Sequence, residues 1–163
     1  MEDDEIKKML VMDHEMLMVL KHFELAKLDY AKNIKIYTSI PQAKVQIYIE
    51  RLYSMGLIEK YSGSSVKRTE AKLKKTNEVH KHHTYYHIAN NGHYILRDMN
   101  EREYIKYVDI LCLRLILLKR ERKDNAEKCQ RLYEMGLMDK NYEPTEMGLK
   151  VLDLAKRRQV KIY

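Results

Sequence analysis

The residues able to do chemistry in this 163-residue chain gather in one window. Between Lys60 and Thr84 stand Lys60, Lys67, Arg68, Lys72, Lys74, Lys75 and Lys81, opposed only by Glu70 and Glu78. The window supplies most of the net charge of +7. Cations at this density suit phosphates: each Lys or Arg that meets a backbone phosphate releases condensed counterions, so binding falls steeply with salt and ignores base sequence. The alternative is a solvated loop whose charges keep the protein dispersed. His80, His82, His83 and His87 crowd the end of the same window. On a strand, His80 and His82 share one face while His83 and His87 share the other. That alternation splits a four-ligand site, and no nearby Cys completes a tetrahedral set. No metal or other cofactor is expected. Histidines beside phosphates, or stacked on Tyr85 and Tyr86, are the expected arrangement.

A second set lies upstream. Val45, Ile49 and Leu52 fall at i, i+4 and i+7 and predict the buried stripe of a helix 41–54. Gln42, Lys44, Gln46, Tyr48 and Arg51 occupy its other side. Gln offers adenine two hydrogen bonds, while Arg and Lys reach guanine or phosphate, so these types suit a major groove. Any exposed helix carries such residues, and its place in the fold must decide. The candidate DNA-binding set is therefore Gln42, Lys44, Gln46, Tyr48 and Arg51 on the helix, with Lys67, Arg68, Lys72, Lys74, Lys75, Lys81 and His82 as phosphate contacts.

The two cysteines, Cys112 and Cys129, are too few for a disulfide scaffold and point to a reducing compartment. Cys112 sits in an apolar run and reads as a small buried hydrophobe; Cys129, beside Lys128, reads as reachable. A redox or metal sensor built on the pair is a further reading. No Ser or Cys stands in a nucleophile's context and no glycine-rich loop cradles a phosphate, so an enzyme is not expected.

The elements that position these residues follow from composition and pattern. Gly (5) and Pro (2) are scarce and 45% of residues are apolar, which argues against an all-β sandwich and for a mainly α (α+β) chain. Asp13 is the expected N-cap of a helix with the stripe Met16, Val19, Leu20 and Phe23. Asp29 is the expected cap of a short second helix presenting Tyr30, Ala31 and Ile34. Thr38-Ser39 makes a turn, and Pro41 opens the third helix, where its missing N–H does no harm. A strand 57–61, a charged hairpin, a return strand near 84–88 and a closing helix complete a winged helix-turn-helix with a long basic β-hairpin wing.

One phrase occurs twice. Residues 51–60, from Arg51-Leu52-Tyr53 through Met55-Gly56-Leu57, match 131–140, from Arg131-Leu132-Tyr133 through Met135-Gly136-Leu137, at an offset of 80. In both, Gly falls where a helix ends in a left-handed residue. Downstream, 88–96 resembles 144–152 at an offset of 56. The excess of 24 residues in the first copy is the basic window. The second copy leaves little room for a separate second helix. Its run Tyr104–Leu118 is apolar nearly all round and reads as one helix requiring burial on every side. The second copy is thus read as a degenerate winged-helix-like repeat used for packing and dimerisation.

The stretch Ser39-Ile40 followed by Leu52-Tyr53-Ser54-Met55-Gly56-Leu57-Ile58 resembles archaeal winged-helix transcription regulators, a resemblance covering residues 13 to about 98. More narrowly, 66–72 (Val66-Lys67-Arg68 to Lys72) and 79–86 (Val79-His80-Lys81 to Tyr86) look like an archaeal winged-helix family of uncharacterised function. The resemblance implies an archaeal source and a wing, and implies no mechanism.

The resulting expectations are a helical extension 1–12, a winged helix-turn-helix 13–99 and the second unit 100–163. The protein is expected to bind double-stranded DNA as a homodimeric transcription regulator, with no small-molecule effector identified by the sequence. The rival reading is a protein-interaction scaffold whose hairpin meets an acidic partner or RNA. The acidic residues Glu2–Glu5 are the reverse of a basic leader, and 104–118 is short and carries Lys106, Asp109 and Arg114. A cytoplasmic chain with no membrane span is therefore expected.

Overall fold

The computed structural model describes residues 2–63, 71–73 and 83–163. In chain order the elements are α1 (Asp3–Met12), α2 (His14–Ala26), β1 (Leu28–Asp29), α3 (Ala31–Thr38), α4 (Gln42–Ser54), β2 (Ile58–Lys60), β3 (Tyr86–Ile88), α5 (Asn90–Asp98), α6 (Glu101–Tyr104), α7 (Ile110–Leu117), α8 (Ala126–Glu134) and α9 (Glu146–Arg157). The chain is mainly helical with a small antiparallel sheet. It divides into two compact units, Glu15–Leu96 and Glu2–His14 with Arg97–Tyr163.

In the first unit the stripe Met16, Val19, Leu20 and Phe23 of α2 is buried, and so are Val45, Ile49 and Leu52 of α4. Removing such side chains from water stabilises by about 1.5–3 kcal/mol each, and this burial holds the helices together. The sheet order is β1-β3-β2. Ile58 pairs with Ile88 and Lys60 with Tyr86. One further bond, Tyr61 N–H to the Tyr85 carbonyl at 2.9 Å, extends the pairing towards the basic window. On the other edge Leu28 pairs with His87 and Asp29 with Tyr86. Strand β1 has no counterpart in the sequence reading. Helix α2 ends on Lys27 at φ 66°, a left-handed conformation reached without glycine, and the strand that follows is two residues long. Asp29 accordingly stands in β1, and Tyr30 is the residue that flanks α3 as its N-cap.

Gly56 (φ 68°) and Gly136 (φ 71°) both adopt the left-handed conformation that their phrases predict. Each closes a helix in the same way. Leu57 N–H donates to the Leu52 carbonyl at 2.9 Å, as Leu137 N–H does to Leu132 at 2.9 Å; Gly56 and Gly136 donate to Tyr53 and Tyr133. The carbonyls of Leu57 and Leu137 then accept from Ala89 and Thr145, just ahead of α5 and α9. A Cβ on Gly92 or Gly148 would lie 2.3 or 2.2 Å from those same carbonyl oxygens.

In the second unit α1 buries Ile6, Leu10 and Val11. The apolar run 104–118 is not one helix. Chain direction breaks after a 3-10 turn at Ile105–Tyr107, and Asp109 starts α7 by accepting the Cys112 N–H at 2.7 Å. The local cap outweighs the continuity of apolar residues, and Ile110 is left 53% exposed. Cys129 is fully buried rather than reachable: it lies three residues before buried Leu132 on α8, turned away from the side where Lys128 meets Asp109. Burial pushes both thiols up. It also pushes the hydroxyl of buried Tyr104 up to about 12.

The Lys128 ammonium, with the Cys112 N–H, holds the Asp109 carboxyl down at about 2. A lowered acid contributes stability above its unfolded value, about 3.9, and loses that contribution as pH falls through the folded value. Asp109→Ala should therefore cost about 1 kcal/mol of unfolding free energy at neutral pH, chiefly as a lost cap, because Asp109 is half exposed. Urea melts at pH 7 and at about pH 2 check this: the difference between the two proteins should shrink in acid.

Candidate nucleic-acid interface

The candidate face is built on α3, α4 and the strand β3. Helix α3 ends on Ser39 at φ 60°, whose N–H donates to the Lys35 carbonyl at 2.9 Å. Thr38 Oγ1 donates to the Ile34 carbonyl at 2.8 Å, and buried Ile40 anchors the turn before Pro41 starts α4. Two helices are thereby set close together across a three-residue turn. With Val45, Ile49 and Leu52 inside, α4 turns Gln42, Lys44, Gln46, Ile47, Glu50 and Arg51 outward.

A groove of about 380 Å³ runs beside α4. Gln42, Gln46 and Glu50, one helical turn apart, line one wall; Tyr30 and Lys32 of the α3 end and Thr84 and Tyr86 of the strand side line the rest. The structure thus brings two of the sequence-derived residues, Gln42 and Gln46, to the segment that leaves the basic window. Arg51 is exposed on α4 but does not line the groove. Lys44 is exposed and ion-paired with Glu15 of α2.

Tyr48 is not on the exposed face. It is 4% exposed, and its hydroxyl donates to Glu15 Oε2 at 3.0 Å. It lies three residues after Val45 and four before Leu52, which places it on the flank of the buried stripe with only its polar tip reaching the edge. His83 does stack, but on Tyr30, with centroids 4.4 Å apart and planes 13° from parallel, rather than on Tyr85 or Tyr86. Tyr85 instead packs into a cluster with Leu28 and Ala71.

Of the basic window, Lys72 is described and exposed. Its neighbour Ala71 is buried in that cluster, the Lys72 N–H donates to the Ala26 carbonyl at 3.0 Å, and the Tyr37 hydroxyl donates to the Leu73 carbonyl at 3.2 Å. At 71–73 the window is tied back to the end of α2 and to α3. Lys67, Arg68, Lys74, Lys75, Lys81 and His82, with His80, lie outside the described residues. Among the described residues no group of three His, Cys, Asp or Glu side chains is arranged to hold a metal ion.

Sequence reasoning missed the polar group beneath this face. Asp29 is 3% exposed; Oδ2 lies 2.6 Å from His22 Nε2 and 2.8 Å from Asn33 Nδ2, while Oδ1 accepts from the Tyr30 N–H at 2.8 Å. His22 and Asn33 are also buried. The signal was present in part: His22 falls on the apolar stripe of α2, between Val19 and Ala26, where a histidine needs a partner. It also missed Glu15 and Glu50, because neither acid belongs to a pattern in the sequence.

Residues 7–99 match the model of a family described as an uncharacterized protein conserved in archaea (DUF2250). The match spans more than half of the chain, and the chain belongs to that family. Comparison with curated proteins and with solved structures finds no match. Among the described residues no helix is long and apolar enough to cross a membrane.

Asp29→Ala removes the acceptor of two buried side chains and one backbone N–H at once. It should lower the unfolding free energy by roughly 3 kcal/mol or more. Chemical denaturation at neutral pH reads this directly, and a loss below about 1 kcal/mol would contradict the role given to the network.

Proposed function

We propose that the first unit is a winged helix-turn-helix that binds duplex DNA, with α4 in the major groove and the basic window against adjacent phosphates. The observation that carries the reading is the pairing of α3 and α4 across a three-residue turn, with Gln42 and Gln46 outward and bordering the groove on the strand side. The element order α2-β1-α3-α4-β2-β3-α5 and the sheet order β1-β3-β2 suit that fold. Gln42 and Gln46 have the donor and acceptor pattern for adenine, and Arg51 and Lys44 that for guanine or phosphate. Lys67, Arg68, Lys72, Lys74, Lys75, Lys81 and His82 would neutralise phosphates without reading sequence.

The second unit, in which the glycine cap and closing contact of the first recur, is read as a degenerate winged-helix-like repeat that joins two copies of the chain. A cytoplasmic, homodimeric transcription regulator of an archaeal family is the whole proposal. One observation favours a second reading, a protein-interaction scaffold: α4 also exposes Ile47 (49%) and Glu50, an apolar and an acidic side chain that suit a protein partner.

A mobility-shift titration separates the two. Charge reversal at Lys67, Arg68, Lys74 and Lys75 should weaken binding to every duplex alike and flatten the salt dependence. Gln46→Ala should instead change sequence preference, by about 1–3 kcal/mol between sites differing at one base pair. Binding that ignores salt, or no binding to duplex DNA, favours the scaffold.

A further inference from the structure

We infer that Glu15 acts as a built-in counterion for helix α4, holding Lys44 out of phosphate contact and so setting how strongly the protein binds DNA of any sequence. The inference rests on the DNA reading above. Two contacts meet at one carboxyl oxygen, and a third joins the two groups that make them. Lys44 Nζ pairs with Glu15 Oε2, the Tyr48 hydroxyl donates to the same oxygen at 3.0 Å, and the Lys44 ammonium lies 6.0 Å from the centroid of the Tyr48 ring. Tyr48 is itself buried, so the carboxyl group is fixed from below by a side chain with little freedom. Glu15 sits near the start of α2, on a different element from Lys44, and the pair joins the helix to its neighbour.

The consequence follows from what drives binding to a polyanion. A lysine that meets a phosphate contributes because condensed cations leave the DNA. Lys44 already has an anion beside it. To reach a phosphate it must leave Glu15, which then stands uncompensated close to the DNA surface. An exposed ion pair is weak, so the clamp does not lock α4. It removes one cation from the count that sets the salt dependence. Lys44 and Glu15 are half and about one-third exposed, placing both where an approaching duplex would meet them. Sequence-independent affinity is thereby held down while Gln42 and Gln46, which carry no charge, keep their part in discrimination. Glu15 is a positioning residue that acts through Lys44.

The test is a set of salt titrations on the full chain with a random-sequence duplex. Glu15→Gln retains a carbonyl oxygen for the Tyr48 hydroxyl and removes the charge. Its log–log slope of affinity against salt should be steeper than wild type by about 0.9, so its advantage is about threefold larger at 50 mM than at 200 mM salt. In the protein carrying both Glu15→Gln and Lys44→Gln the slope should return to the wild-type value. Equal slopes for Glu15→Gln and wild type overturn the inference. A gain that persists in the double variant overturns it too, since Glu15 would then be acting on the DNA by itself. Should Glu15→Gln fold poorly by thermal melt, Glu15→Ala takes its place with the same expected slope. Wild-type protein that shifts no duplex at low salt removes the DNA reading and this inference with it, a result visible before any variant is compared.

Discussion

The buried carboxyl group of Asp29 orders the face that α4 presents. It belongs to β1, contacts His22 on α2, and accepts from the backbone and side chain at the start of α3. Through β1 it also fixes the register of β3, since Asp29 pairs with Tyr86. Helix, strand and helix thus converge on one polar atom pair inside an apolar core. Such a group is costly to bury unless all its partners are in place, so a small displacement of any of these elements exposes it to a desolvation penalty. Apolar packing alone tolerates sliding; a satisfied buried network selects one arrangement. Tyr30, next in sequence, is placed by the same group and in turn holds His83 by stacking at the point where the chain leaves the basic window.

On that frame the surface charges fall into two kinds. Lys44 is answered by Glu15, and Lys60 lies over the Tyr53 ring at 5.1 Å. Lys72 is exposed, while its backbone ties the window to α2. The groove is bordered by the amide side chains of Gln42 and Gln46 together with Lys32 and Glu50, whereas most of the cations that the sequence gathers in the window lie outside the described residues. This division suits a binder in which one segment supplies attraction and another supplies discrimination. The family match over residues 7–99 covers both segments and ends close to the close of the first unit.

Much of the frame was legible in the sequence because its signals are local. Helix 41–54, the stripes of α2 and α4 and the left-handed Gly56 and Gly136 each rest on spacing or on one residue type. Other features depend on partners distant in sequence. Strand β1 consists of two residues, and Lys27 makes its turn without glycine, so nothing nearby announced it. Asp29 carries the same residue type as an ordinary helix cap, and only the fold distinguishes a buried hub from a cap. Tyr48 counted as polar by its tip although its ring belongs to the core. The break at Asp109 was hidden because an apolar run looks alike in one helix or two. Of the candidate site, Gln42, Gln46 and Arg51 stand exposed as their spacing requires, Tyr48 does not, and most of the window lies outside the described residues.

The most direct measurement of the central claim is the map of backbone amide shifts in the full chain on addition of a short DNA duplex. The account predicts that the largest changes fall on Gln42, Gln46, Arg51 and Thr84, with the amides of α8 and α9 little changed. Changes confined to residues 97–163, or none at duplex concentrations well above those that bind proteins nonspecifically, would contradict it.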